Sequence, residues 1–309
     1  MEAMSPQSLL VIGGTGFIGH HLLNNAHQKG WKITSVSLNP PSNLRFVEGV
    51  KYLHFDIRNG VEVKKHLCED FNYVVNLGGY INHQLFNEGG RELIDCHFTA
   101  LQNLIQFLPR KKLQRFVQIG SSDEYGNILA PQNENSREQP ISPYSLAKVA
   151  AAHFLQMLYR TENFPAVILR IFLTYGPGQN SLRLLPQIIH GCLDNESFPT
   201  SKGEQFRDFC YISDTVRAIM HALTLPCIEG EIFNIASGEP IMIRKMIEMV
   251  CKITNSGEPI YGALPYRQGE NMSLYANVEK AGSLLKWECN TKIEDGLKET
   301  IEWYAKNKS

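Results

Sequence analysis

The segment Val11-Ile12-Gly13-Gly14-Thr15-Gly16-Phe17-Ile18-Gly19 constrains the fold of this chain more than any other. It follows a short apolar run, Leu9–Ile12, and leads into a helical pattern from Phe17 to Lys29. Glycines at 13, 16 and 19 suit a strand-to-helix turn that carries a pyrophosphate. The first permits the tight turn, the second lets the ligand approach the backbone, and the third lets the helix pack close to the sheet. The helix N-terminus adds N–H donors and the positive end of a dipole. Gly13, Thr15, Gly16, Phe17, Ile18 and Gly19 are therefore the expected holders of a dinucleotide.

The rest of the first half repeats the strand–helix alternation. Lys32–Leu38, Tyr73–Leu77, Phe116–Gly120 and Ala166–Phe172 read as strands, and Val61–Glu69, Gly90–Leu108 and Tyr144–Thr161 as helices. Strands separated by helices imply right-handed crossovers and an α/β fold with a doubly wound, mainly parallel sheet. After Tyr175 the texture breaks at Gly176-Pro177-Gly178, Pro186, Pro199, Gly203, Pro226 and Pro240. The expected division is a dinucleotide-binding domain over 1–175 and a smaller α/β substrate lobe over 176–309, with some of its segments rejoining the first domain.

Composition excludes several classes of function. A formal net charge of −1 gives no electrostatic reason to expect nucleic acid or an anionic membrane as partner. No run approaches the roughly 18 apolar residues of a membrane span. The seven cysteines are scattered without a C-x-x-C pair, so neither a metal site nor a disulfide framework is expected. The expectation is a cytoplasmic protein with reduced thiols.

Two further segments bear on the cofactor. Asp56-Ile57, after the third strand, can meet an adenine amino group, the alternative being a cap for the next helix. The second strand ends Ser37-Leu38-Asn39, with neither an acid for ribose hydroxyls nor an arginine for a 2′-phosphate, although Arg45 is within loop reach. The lack of a charged phosphate partner favours NAD over NADP, with Ser37 near the ribose.

Tyr144 and Lys148 in Pro143-Tyr144-Ser145-Leu146-Ala147-Lys148 stand at i and i+4, one turn apart on one helix face. A tyrosine of pKa ~10 is a poor base at neutral pH. A neighbouring ammonium and a cationic nicotinamide both favour the phenolate. Lys148 can also hold the nicotinamide ribose. Ser121, at the end of an intervening strand, would donate to the sugar oxygen whose proton Tyr144 moves.

GGTGFIG, the strand ending IGSSDEYG, PYSLAK, LRIFLTYGPGQ and RDFCYISD together resemble the extended short-chain dehydrogenase/reductase family of nucleotide-sugar epimerases, 4,6-dehydratases and 4-keto-sugar reductases. The resemblance runs to the closing LLKWECNTKIEDGLKETIEWY. It implies a Rossmann domain with a substrate lobe, a Ser121–Tyr144–Lys148 triad and hydride exchange at C4 of a nucleoside-diphosphate sugar. It also implies a homodimer whose four-helix interface uses Gly90–Leu108 and Tyr144–Thr161. Arg207 and Arg267 are the implied diphosphate partners, and a guanidinium fork suits phosphate oxygens.

The departures from the family pattern sort the subfamilies. Where members often read H-L-A-A, this chain has Asn76-Leu77-Gly78-Gly79; Leu77, Gly78 and Gly79 are taken as cofactor contacts. Tyr80, Asn82 and His83 would then line the sugar pocket, His83 as a polar contact or a second acid or base. His97 replaces a common helix asparagine, and Leu173 a common Asn. In a dehydratase alignment Asp123 falls on the base position and Ser122 on the acid position. SSDEYG looks closest to the SSEEYG of GDP-4-keto-6-deoxymannose reductases, with Asp123 and Glu124 as further catalytic candidates. The expectation is C4 oxidation or reduction without dehydration. The alternatives are a 4-epimerase or 4,6-dehydratase that retains its NAD, and, from another class, a non-catalytic dinucleotide-binding protein.

Overall fold

Apolar runs too short for helices become strands covered on both faces, the arrangement that parallel sheets require. The computed structural model describes residues 6–266 and 269–308. Its first six strands are β1 (Ser8–Ile12), β2 (Lys32–Ser37), β3 (Lys51–His54), β4 (Tyr73–Asn76), β5 (Arg115–Ser121) and β6 (Ala166–Ile171). Then come β7 (Leu173–Tyr175), β8 (Ser197–Thr200), β9 (Phe206–Tyr211), β10 (Ile232–Ile235), β11 (Pro240–Met242), β12 (Glu258–Tyr261) and β13 (Ser273–Leu274).

A seven-stranded parallel sheet runs in the order β10-β6-β5-β4-β1-β2-β3. The chain winds outward from β1 to β3, then returns to lay β4 on the other side of β1. That reversal opens a crevice between the β1 and β4 loops, where ligands of such sheets bind. Ile12 pairs with Asn76, so both strands end level and their loops face each other.

The two-residue strand period sends alternate side chains to opposite layers. Leu9 and Val11 join a core that includes Leu22, Leu23 and Ala26 of the Phe17–Gln28 helix and Ala218 and Ala222 of the Ile212–Thr224 helix. Leu10 and Ile12 join the opposite core with Leu101, Leu104, Ala151 and Leu155. Truncating any of these fully buried leucines to alanine costs about 2–5 kcal/mol.

The Pro143–Glu162 helix has clear local causes. The Ser142 side chain accepts from the Ser145 N–H, Pro143 occupies the first turn, and Asn163 closes the helix at φ +53°. The expected single helix from Gly90 to Leu108 is interrupted instead. It runs as α-helix over Gly90–Ile94, a π turn over Asp95–Thr99, and α-helix again over Ala100–Phe107. His97 lies at the centre of that π turn, the type of bulge that recurs at functional sites.

In the second half, β9 lies between β11 and β13 and also pairs with β7, while β12 pairs with β8. The segment β10 crosses back to extend the main sheet beside β6. Among the described residues no helix is long and apolar enough to cross a membrane.

Candidate active site

The glycine loop is built for close approach. Gly13 has φ +80°, and a Cβ there would lie 3.0 Å from the Leu77 carbonyl oxygen. A Cβ on Gly19 would lie 2.4 Å from the Gly13 oxygen, so the helix enters against the turn without room for a methyl. Gly16 is the N-cap of the Phe17–Gln28 helix and brings no capping side chain. These features fit a dinucleotide pyrophosphate: a narrow cradle opening on a helix N-terminus.

Ser37 braces the loop, its hydroxyl accepting from the Thr15 N–H at 3.3 Å. The Arg45 guanidinium donates to the carbonyls of Thr15 and Gly178 at 3.1 and 3.0 Å. It thereby ties the loop to the β7 side of the molecule. Phe17, Ile18 and Leu77 pack partly buried against the core at this end of the sheet. On the other flank, Ile57 Cδ1 lies 3.6 Å from where a Gly78 Cβ would be, so Asp56-Ile57 borders the crevice. Asp56 is not the cap of the next helix; the Asn59 side chain is, accepting from the Val61 and Glu62 N–H groups. The Asp56 carboxylate accepts from the Arg58 N–H and Nε at 2.8 and 2.7 Å. Burial opposes its charge, but these bonds hold its carboxyl below the usual carboxylate range.

Ser121, Tyr144 and Lys148 come together at the carboxyl end of β5. Tyr144 is 3% exposed, with Ser121 as a neighbour that favours its phenolate. Lys148 Nζ donates to the Ile119 carbonyl at 2.8 Å and lies 5.9 Å from the Tyr144 ring centre. Burial pulls the Lys148 ammonium down to about 8. The protein groups around Tyr144 raise its pKa on balance. Burial drives the phenol above its ordinary value, the Asp123 charge adds to the rise, and the Ser121 bond and Arg183 charge oppose it. Desolvation of the phenol is the largest of these effects.

The turn after β5 separates the roles of two adjacent acids. The Glu124 carboxylate has no exposure; it accepts from the Ser121 N–H at 2.8 Å and from Arg170 Nε at 2.7 Å. Arg170 also pairs with Glu138 and covers the Tyr125 ring. Glu124, one of the catalytic candidates, is thus buried and bonded to the Ser121 backbone and Arg170. Asp123 does face the site. His83 Nε2 lies 3.7 Å from its carboxylate, and the His83 ring stands edge-on to Tyr144 at 5.9 Å. Ser122 is 5% exposed.

Tyr80 is exposed, but its carbonyl meets His97 Nε2 at 2.8 Å. Asn82 accepts from the Gln84 N–H at 3.1 Å, turning the chain toward His83. Arg207, on β9, pairs with Glu270 and donates to the Phe206 carbonyl at 2.8 Å. Arg267 lies outside the described residues. His97, Arg170 and Arg183 entered no expected site. Only the departure from the family asparagine pointed to His97. Arg170 and Arg183 become neighbours of the triad through packing alone.

Comparison with known proteins adds the chemistry. A family model described as "NAD dependent epimerase/dehydratase family" matches residues 9–236. A Bacillus subtilis (strain 168) protein named "Uncharacterized UDP-glucose epimerase YtcB" is 28% identical, covering 96% of this chain and 98% of its own. The Mus musculus dTDP-D-glucose 4,6-dehydratase is 27% identical over 97% of this chain and 89% of its own. The crystal structure of UDP-glucuronic acid 4-epimerase from Bacillus cereus, with UDP-glucuronic acid and NAD, superposes with a TM-score of 0.87. It is 26% identical and covers 97% of this chain and 99% of its own.

Proposed function

Because this chain belongs to the NAD dependent epimerase/dehydratase family, we propose that it oxidises or reduces C4 of a nucleoside-diphosphate sugar, with Tyr144 moving the hydroxyl proton. The observation that carries this reading is the buried Ser121–Tyr144–Lys148 cluster at the mouth of the β1/β4 crevice. Gly13, Gly16, Gly19, Ser37, Asp56, Gly78 and Lys148 would hold NAD. When bound, NAD supplies the hydride acceptor and a positive ring that favours the phenolate.

The chain's own groups do the rest. Tyr144 takes the proton from the C4 hydroxyl in oxidation and returns it in reduction. The Ser121 hydroxyl orients that oxygen. Lys148, held by the Ile119 carbonyl, keeps positive charge beside the phenolate as it forms. Arg207 offers a guanidinium to the diphosphate once the diphosphate competes with Glu270.

A simple C4 redox reaction is favoured by the likeness of SSDEYG to the SSEEYG of C4 keto-reductases and by Asp123 being a methylene shorter than the glutamate usual at the dehydratase base position. A second reading rests on Asp123, which lies beside His83 near Tyr144 and would serve as base in a 4,6-elimination. The family-implied homodimer would use the 90–107 and Pro143–Glu162 helices, and Leu146 and Met157 leave apolar surface open on the latter. The deciding experiment incubates the enzyme with UDP-, dTDP-, CDP- and GDP-sugars and reads product mass together with cofactor absorbance. Gain or loss of two hydrogens with net cofactor turnover supports C4 redox. Loss of water supports dehydration, and a new sugar of unchanged mass supports epimerisation. No reaction with any sugar of the panel, with NAD bound, would count against the proposal.

A further inference from the structure

Two departures from the family pattern, separated in sequence, meet in space. Gly79 has φ +106°, and a Cβ built on it would lie 2.2 Å from His97 Cε1, 2.5 Å from Nδ1 and 2.8 Å from Nε2. No side chain fits at 79 while an imidazole stands at 97. The same imidazole faces the proton-transfer residues, its ring edge-on to Tyr144 with centres 5.0 Å apart.

The hydrogen bonds fix the state of the ring. The Tyr80 carbonyl can only accept, so Nε2 carries the proton and Nδ1 keeps a lone pair. Nδ1 is buried without a hydrogen-bond partner among the described residues, on a side chain 5% exposed overall. Burial pulls the His97 pKa down to about 3, and the Lys148 charge pulls in the same direction. Burial thus favours the neutral imidazole at neutral pH.

We propose that His97 is a positioning residue for the Tyr144–Lys148 pair and that Gly79 is the glycine this histidine requires. The imidazole acts through its neighbours. It fastens the Gly79–Tyr80 turn through the Tyr80 carbonyl and packs against the Tyr144 ring. It also keeps an uncharged, electron-rich group in the buried space that holds the Lys148 ammonium. The other charged groups around Tyr144 come from different elements. Asp123 and Glu124 follow β5, Arg183 precedes the Leu184–Leu193 helix, and His83 comes from the loop after β4.

The inference rests on Tyr144 being the proton-transfer group, and the test separates the two. Phenolate absorbance is titrated against pH in the presence of NAD, with Tyr144→Phe identifying the Tyr144 contribution. His97→Phe keeps a ring against Tyr144 but loses both nitrogens. It is expected to move the Tyr144 midpoint upward by about half a unit to one unit. His97→Gln, which restores a neutral donor and acceptor, is expected to recover most of that shift. In parallel, Gly79→Ala is expected to lower the melting temperature or soluble yield. The Gly79→Ala/His97→Ala protein should regain part of that loss, strain at φ +106° accounting for the remainder. A Tyr144 midpoint identical in His97→Phe and the parent protein would overturn the inference. So would a Gly79→Ala loss of the same size in both backgrounds. If Tyr144→Phe removes no titration, the assignment of Tyr144 fails first.

Discussion

Replacing Arg170 with methionine tests whether the acid after the active-site serine is scaffold or catalyst. The Arg170 side chain has no exposure, and its Nε lies 2.7 Å from Glu124, which has none either. It also pairs with Glu138, whose side chain is 12% exposed, and sits 4.7 Å above the Tyr125 ring. Methionine fills much of the volume but leaves the Glu124 carboxylate buried, with the Ser121 N–H still bonded to it. Removing one partner of a buried ion pair costs about 3–5 kcal/mol. In a chain of this size that corresponds to a fall in Tm of about 5–8 °C. Equilibrium urea unfolding measures it, as a lower midpoint at unchanged slope. Adding Glu124→Gln to the methionine variant is expected to recover part of the loss, because no charge is then stranded. A cost below about 1 kcal/mol, or no recovery in the double variant, would refute the reasoning.

Three further outcomes follow from the site. Tyr144→Phe is expected to lower turnover by orders of magnitude while NAD binding, measured by fluorescence titration, stays close to that of the parent. Lys148→Met is expected to raise stability by about 1–3 kcal/mol at pH 7, since burial pulls the ammonium from 10.5 to about 8. The sign follows because the unfolded state binds more protons between those two values. The penalty is full below pH 8 and fades as pH rises toward 10.5, so melting curves of the two proteins should converge there. Equal stability at pH 7 would contradict the burial assigned to Lys148. Arg207→Ala is expected to weaken nucleoside-diphosphate binding by about 10- to 100-fold, the range of a charge-assisted hydrogen bond, as read by calorimetry.

Much of the frame was legible because its causes are local. The glycine spacing at 13, 16 and 19 records a turn that has no room for a methyl, and the contact between Gly19 and the Gly13 oxygen is the physical form of that rule. The i, i+4 spacing of Tyr144 and Lys148 needed only a helix, which Ser142 and Pro143 start. The regular helix expected from Gly90 to Leu108 missed the π turn, since an extra residue in a turn leaves the amphipathic pattern nearly unchanged. The sequence kept both Asp123 and Glu124 as catalytic candidates. Arg170, far along the chain, separates them by claiming one carboxylate and leaving the other facing Tyr144.

The linear chain by itself determined the parallel sheet, the phosphate turn and the helix that pairs a phenol with an amine. All three arise from covalent geometry and short-range periodicity. Only the tertiary structure decided which groups those elements meet. Packing put His97 against Gly79 and Tyr144, set Arg45 on the carbonyls of Thr15 and Gly178, and returned β10 to the main sheet. Such encounters join residues that share no local pattern. They depend on how whole layers settle against one another, and the same packing sets the burial that raises the Tyr144 pKa and lowers that of Lys148.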